Sequence, residues 1–128
     1  MKKINDIEKY DDFISGKGAD ISDIENAENL LNIHFADDYK EYLIKYGMAM
    51  ANGHEITGIG FVESDDVIKE TIKQRLLNQN CEKLYVIENP NIDSVIIWQD
   101  ESGSIFRTIP GSDPIKTANS LADYICDW

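Results

Sequence analysis

The chain has 128 residues and carries 24 acidic against 12 basic side chains, which gives a formal net charge of −12. This charge disfavours direct binding to nucleic acid or to an anionic membrane, because both require clustered basic residues. The length and an apolar fraction of 42% predict one globular domain over residues 1–128. No apolar run reaches the roughly 18 residues of a membrane span, and no secretory signal follows Met1, so we expect a cytoplasmic protein.

Apolar residues recur at helical spacing in three segments of the first 47 positions. The first segment covers residues 1–14 and stops at the turn of residues 15–18. The second begins with a capping box formed by Ser22 and Glu25 and ends near Asn32. The third begins at residues 35–38, has acids in its first turn, and stops at Gly47. Its core-facing residues are predicted to be Tyr39, Tyr42, Leu43 and Tyr46.

The centre of the chain predicts a loop, a bulged strand and a further helix in succession. The loop covers residues 48–53 and the strand covers residues 56–62. The helix begins within residues 64–66 and ends at residues 78–80. Its core-facing residues are predicted to be Val67, Ile68, Ile72, Leu76 and Leu77.

The last third of the chain carries the clearest strand signals. Runs of β-branched and aromatic residues at 84–87 and 95–98 predict two strands, and residues 104–107 predict the return strand of a hairpin. Residues 121, 124, 125 and 128 are apolar or aromatic and have the spacing of a terminal amphipathic helix. The predicted class is therefore α+β, with a central antiparallel sheet and flanking helices at both ends of the chain.

No motif in the sequence indicates catalysis, a cofactor, a metal site or a small-molecule substrate. The glycines around Lys17 lack the remaining residues of a phosphate-binding loop. His34 and His54 have no ligand-spaced neighbours, and Cys81 and Cys126 have neither metal-site nor redox spacing. We therefore predict that the protein is not an enzyme.

Acidic side chains are the remaining candidates for a functional site. Asp65-Asp66 stands at a predicted helix start and Asp100-Glu101 at a predicted hairpin tip, so capping and turn formation are their simplest explanations. Asp37, Asp38 and Glu41 rim the tyrosine face of the third helix. That face is most simply a core stripe, and the alternative is a binding patch with tyrosine anchors.

The order of these segments resembles the SUKH superfamily, the Smi/Knr-type domains common among bacterial immunity proteins. Residues 24–31 match the pattern I-x-x-x-E-x-x-L, and residues 35–43 are similar to L-P-x-D-Y-K-x-F-L. Residues 95–106 are similar to the strand, acidic-glycine turn and second strand of these domains. The resemblance covers most of the chain and rests on the order of the motifs.

This resemblance implies a non-enzymatic binding module that neutralises a cognate toxin, often a nuclease. A nuclease needs a basic surface for phosphate, so an acidic partner would be steered to it and would occlude its active cleft. The leading hypothesis is an immunity protein, or antitoxin, whose partner is a toxin with a basic nuclease domain. The alternative is a regulatory or scaffold interaction domain, and acidity can also serve solubility alone.

The predicted contact surface combines acids at helix starts and at the hairpin tip with two aromatic anchors. Acids at a helix start satisfy free backbone N–H groups and can still face a partner. The predicted partner-binding residues are Asp37, Asp38, Glu41, Tyr42, Asp65, Asp66, Trp98, Asp100 and Glu101.

Overall fold

Two antiparallel sheets and a set of short helices make up residues 2–59 and 66–128, which are the residues that the computed structural model describes. The helices are a 3₁₀ helix at Ile4–Lys9, α1 at Ile21–Leu31, α2 at Asp37–Tyr46, α3 at Val67–Leu77 and α4 at Leu121–Cys126. The strands are β1 at Ile14–Ser15, β2 at Ala49–Ala51, β3 at His54–Ile56, β4 at Tyr85–Glu88, β5 at Ile96–Gln99, β6 at Ile105–Thr108 and β7 at Ile115–Ala118. No helix of this described part is long and apolar enough to cross a membrane.

The four-stranded sheet has the order β4-β5-β6-β7 and the three-stranded sheet the order β1-β2-β3, and all their pairings are antiparallel. Side chains alternate across the larger sheet because successive Cβ atoms point to opposite faces. Tyr85 and Ile87 enter the main core, while Val86 and Trp98 pack with Cys81 on the other face. The α+β class with a central antiparallel sheet is thereby confirmed.

The main core is built around the inner face of α2. Tyr39, Tyr42, Leu43 and Tyr46 are all buried, which confirms the predicted face. The Tyr39 hydroxyl donates to the Thr57 carbonyl oxygen at 3.0 Å, so the polar end of this buried ring is satisfied. The helix ends at Gly47, whose φ of 70° favours glycine.

The amino-terminal third differs from the prediction in two places. A 3₁₀ helix and the short strand β1 replace the single helix expected over residues 1–14, because β1 pairs with Ala49 and Met50 of β2. The capping box is wrong, since α1 begins one residue before Ser22 and Asp20 is its N-cap. The predicted end at Asn32 is confirmed by its left-handed φ of 55°.

The loop predicted over residues 48–53 is wrong, because these residues form most of a hairpin. Asn52 and Gly53 link β2 to β3 and both have positive φ, the geometry of a tight hairpin turn. Ile56 ends β3, so within the described part of the predicted strand of residues 56–62 only Ile56 belongs to a strand, and residues 57–59 do not. Its last three residues, 60–62, and the predicted helix start at Ser64 lie outside the described residues.

The orientation of α3 is the largest departure from the prediction. Ile72, Leu76 and Leu77 are exposed, whereas Glu70, Thr71 and Gln74 are buried. The physical reason is that α3 covers β4, the edge strand of the four-stranded sheet, and a buried strand edge needs hydrogen-bonding partners. The backbone N–H of Val86 donates to the Thr71 hydroxyl at 2.9 Å.

The final strands and α4 follow the prediction more closely. β4, β5 and β6 each lie within one residue of their predicted ranges, and β5 and β6 form the predicted hairpin. Leu121 and Ile125 of α4 are buried as its spacing indicated. β7 was not predicted, because its residues are mostly exposed and lack an alternating apolar pattern.

Candidate protein-binding site

The first two turns of α2 carry three of the predicted site residues, with Asp37 and Asp38 in the first turn. Asp37 and Glu41 are exposed, and Asp38 is half-buried. Acids are favoured here because the helix dipole places partial positive charge at the helix start. Asp38 also joins neighbouring elements: its Oδ1 accepts from Gln99 Nε2 at 3.0 Å, and its Oδ2 accepts from the backbone N–H of Leu121 at 2.8 Å.

The hairpin between β5 and β6 carries the second acidic pair. Asp100 Oδ1 accepts from the backbone N–H groups of Ser102 and Ser104, each at 3.0 Å, so this carboxylate shapes the turn. Gly103 follows with a φ of 102°, which a residue with a side chain rarely adopts. Glu101 sits at the tip, exposed to solvent.

The start of α2 and the hairpin tip are adjacent because Gln99 bonds to both. Its Nε2 donates to Asp38 and also to the Gly103 carbonyl oxygen, and its Oε1 accepts from the Tyr85 hydroxyl at 2.6 Å. Burial raises the pKa of Tyr85 well above its usual value, and the charges of Asp38 and Asp100 add to that rise. Both carboxylates therefore lie near the same hydroxyl.

We call this surface the acidic rim. Asp37, Glu41 and Glu101 are its exposed members. Asp38 and Asp100 are its half-buried members, and their hydrogen bonds hold the start of α2 to Gln99 and shape the hairpin turn. The rim can therefore present negative charge in a defined geometry rather than as scattered surface acids.

Two clefts border the acidic rim. One, of about 580 Å³, lies between the end of α1 and the hairpin tip, and its lining includes Glu28, His34, Lys83, Asp100 and Glu101. The other, of about 440 Å³, is lined in part by Asp38, Glu41, Ser120 and two lysines near the amino terminus. Carboxylates outnumber the lysine in the first cleft, so it favours a cationic side chain from a partner.

Glu28 is a member of this region that residue-by-residue analysis missed. Its side chain is mostly buried, and its Oε2 accepts from the backbone N–H of Phe35 at 2.8 Å. The same oxygen lies 3.5 Å from Lys40 Nζ and 3.8 Å from His34 Nδ1. The signal that marks it is the acidic position of the I-x-x-x-E-x-x-L pattern.

Not all of the predicted contact residues join the acidic rim. Asp66 caps α3, and its side chain accepts from the backbone N–H of Ile68 at 2.8 Å. Among the described residues, no contact joins Asp66 to a member of the acidic rim. Asp65 lies outside the described residues. The predicted acidic residues that the structure describes therefore fall into two places. One group lies on α2 and on the hairpin between β5 and β6, and Asp66 lies apart from it at the start of α3.

Tyr42 and Trp98 have to be corrected as aromatic anchors, because both side chains are fully buried. The Tyr42 hydroxyl accepts from the backbone N–H of Ala49 at 2.7 Å, and Trp98 Nε1 donates to the Thr108 hydroxyl at 2.9 Å. Their large apolar area is used in the two cores, so neither reaches a partner in this conformation.

A second buried carboxylate, Glu88, also escaped sequence analysis. It accepts from His54 Nδ1 at 2.8 Å and from the Tyr124 hydroxyl. The His54 ring stacks on Trp128 with centroids 4.3 Å apart. These contacts tie β3, β4 and α4 together, and no local pattern connects positions so far apart in the chain.

Comparison with known protein families places the chain in one of them. The profile of the family SUKH_5, described as SMI1-KNR4 cell-wall, matches residues 2–128. No curated protein matches the chain. The family match covers both the helices and the sheet that form the acidic rim.

Proposed function

This chain belongs to the SUKH_5 family of the SUKH superfamily, and from that premise we propose that it is an immunity protein that binds and neutralises a cognate bacterial toxin. Family membership is consistent with an immunity-type role and with a protein partner. The finer proposal is that the partner is a toxin with a basic, nuclease-type domain, and that the acidic rim is the contact surface.

The observation that carries the proposal is the link from Asp38 through Gln99 to the hairpin. It holds the first turn of α2 next to the hairpin between β5 and β6, and this adjacency supports a contact surface shared by the acids of both elements. A surface that neutralises phosphate-binding lysines and arginines must hold several carboxylates in place at once. Hydrogen bonds that fix Asp38 and Asp100 supply that order before binding, which lowers the entropy cost of association.

Neutralisation would be stoichiometric and would act by occlusion. A net charge of −12 accelerates encounter with a basic toxin, and the rim then covers the cleft in which the toxin would bind phosphate. The protein needs no catalytic group for this action. High salt should weaken the complex, because exposed charges are screened within a Debye length.

The test is co-expression of the chain with the toxin encoded beside it, followed by gel filtration of the purified pair. We expect cell survival and a stable complex. In the triple variant Asp37→Asn, Glu41→Gln and Glu101→Gln, association with the toxin should slow by about tenfold, because steering charges act mainly on the association rate. Unchanged toxicity together with no complex would end the proposal.

A matched control separates the acidic rim from overall charge. The triple variant Asp11→Asn, Asp23→Asn and Glu55→Gln also removes three exposed acids, and each set includes one acid from the first turn of a helix. The control should slow association less than the rim variant does. Equal slowing by both variants would show that only the net charge matters and would remove the rim as the contact surface.

A further inference from the structure

The turn between β2 and β3 contains Asn52, the one asparagine of the sequence that a glycine follows. Asn52 and Gly53 have φ angles of 51° and 79° and link the paired residues Ala51 and His54, which is the geometry of a two-residue hairpin turn. Both turn residues are exposed to solvent. Water therefore reaches the side-chain amide of Asn52 and the backbone amide that follows it.

An Asn-Gly pair can lose ammonia by attack of its own backbone. Once a hydroxide ion has taken the proton of the Gly53 nitrogen, that nitrogen attacks Asn52 Cγ and a C–N bond forms. The side-chain nitrogen leaves as ammonia with a proton from water, which regenerates the hydroxide ion, and the product is a cyclic imide. Water then breaks one of the two C–N bonds of the imide, which gives aspartate or isoaspartate at position 52. Glycine favours the attack because no side chain lies beside the attacking nitrogen.

The carboxylate of Asp12 holds the nitrogen that would attack. β1 pairs with β2 in a register that sets Ile14 opposite Met50, so Asp12, two residues before Ile14, lies at the turn. Its Oδ2 accepts from the Gly53 backbone N–H at 3.2 Å, and its Oδ1 accepts from the Asn52 backbone N–H at 2.5 Å. Hydrogen bonds to a charged group are stronger than those between neutral groups. Both amides of the turn are therefore held by a residue that is distant in the chain.

These two hydrogen bonds oppose the loss of ammonia. The attack requires the Gly53 nitrogen to lose its proton, and the negative charge of the Asp12 carboxylate disfavours an anionic nitrogen beside it. The attack also requires this nitrogen to turn towards Asn52 Cγ, which would break its hydrogen bond to Asp12. Asp12 is itself a poor base, because the hydrogen bonds from the Asn52 and Gly53 N–H groups lower the pKa of its carboxyl below the ordinary value of 3.8.

We propose that Asn52 is a site of spontaneous deamidation and that Asp12 is the residue that slows it. This modification site does not depend on the toxin hypothesis. An isoaspartate adds a backbone carbon to the turn, so β2 and β3 no longer meet in the same register. The new carboxylate at position 52 also lies near that of Asp12, and like charges repel. Deamidation therefore frees the turn from the segment that links the 3₁₀ helix to β1.

The test follows conversion at Asn52 in the folded full chain at mildly alkaline pH, by mass spectrometry of its proteolytic peptides. The reference is the same chain unfolded in guanidinium chloride, in which Asp12 no longer holds the turn. The folded chain should convert more slowly than the unfolded chain by about tenfold or more. Equal rates would overturn the role of Asp12, and no conversion in either state would overturn the modification site.

Variants assign the slow conversion to Asp12. Asp12→Ala removes both acceptor oxygens and should speed conversion in the folded chain by about tenfold, whereas Asp12→Asn keeps one acceptor and should give a smaller increase. The matched control Asp11→Ala removes the adjacent exposed acid, leaves both hydrogen bonds in place and should not change the rate. Slower conversion in Asp12→Ala would make Asp12 a base that promotes the attack. Equal increases in both alanine variants would trace the effect to charge, and either result would contradict the proposal.

A second measurement separates the loss of these hydrogen bonds from opening of the whole hairpin. Hydrogen exchange followed by mass spectrometry reports the protection of the backbone amides of β2 and β3 in each variant. Both strands should stay protected in Asp12→Asn while conversion at Asn52 becomes faster. Faster conversion only in variants whose strands lose protection would assign the effect to opening of the hairpin and would overturn the direct role of Asp12.

Discussion

The helices α2 and α3 are nearly equal in length but are built in opposite ways. α2 turns Tyr39, Leu43 and other apolar residues inward and leaves Asp37 and Glu41 in water. α3 has three buried polar residues and exposes its leucines. The difference follows from what each helix covers: α2 packs in the main core, whereas α3 contributes Val67 to that core and otherwise lies against β4 and α1. Apolar spacing therefore predicts the orientation of a helix only where its partner surface is apolar.

The strongest way to test this comparison is to make the same deletion on both helices. Leu43→Ala on α2 should lower the free energy of unfolding by about 2–5 kcal/mol, because it leaves a cavity in a packed core. Leu76→Ala on α3 should change it by about 0.5 kcal/mol or less, since that side chain is 84% exposed. Urea unfolding followed by circular dichroism measures both. Similar losses would mean that α3 does not have the described orientation in solution.

The features predictable from sequence are those set by local pattern. The tyrosine face of α2, the hairpin of β5 and β6, and the buried residues of α4 follow from spacing and from turn residues. The hairpin turn at Asn52-Gly53 carries a local signal as well. Its flanking strands have only three residues each, and the first of them, Ala49–Ala51, lacks the β-branched and aromatic residues typical of strands.

The features that sequence analysis missed depend on contacts distant in the chain. Thr71 is buried because Val86, fifteen residues away, needs an acceptor, and no spacing rule contains that requirement. Likewise, the sequence marks Asp38 and Asp100 as candidate acids, yet their proximity depends on Gln99, which belongs to no motif. The sequence favours Trp98 as an anchor because aromatic residues are common at interfaces, but its side chain is buried in the second core, on the other face of the sheet.

The polar contact between α3 and β4 gives the next prediction. Thr71→Val keeps the shape of the side chain but removes the acceptor of the Val86 N–H, so the free energy of unfolding should fall by about 1–3 kcal/mol. The control Thr117→Val makes the same change on the exposed strand β7 and should be close to neutral. Urea midpoints measure both. A neutral Thr71→Val would show that the edge of β4 finds another partner and that the orientation of α3 has a different cause.

The smallest expected effect concerns Cys81, which follows α3 in the chain. It tests whether water is excluded from the second core, to which Cys81 belongs. Cys81 packs with Leu84 and Trp98, and burial raises the pKa of its thiol to about 11 from an ordinary value of 9.0. Because this pKa is raised, the unfolded chain releases the proton first, so stability is intact below pH 9 and falls as pH rises from 9 towards 11.

The measurement is the free energy of unfolding at pH 7.5, 8.5 and 9.5 in a Cys126→Ala background, which leaves Cys81 as the thiol that titrates. The free energy of unfolding should decline over this range, and the decline should be shallower when Cys81→Ala is added. The comparison is between slopes, so any pH-independent loss of stability caused by Cys81→Ala does not affect it. The difference in slope is small, because at pH 9 only about half of the unfolded thiols are ionised. Identical slopes would mean that water reaches Cys81 and that the outer core is less closed than its contacts indicate.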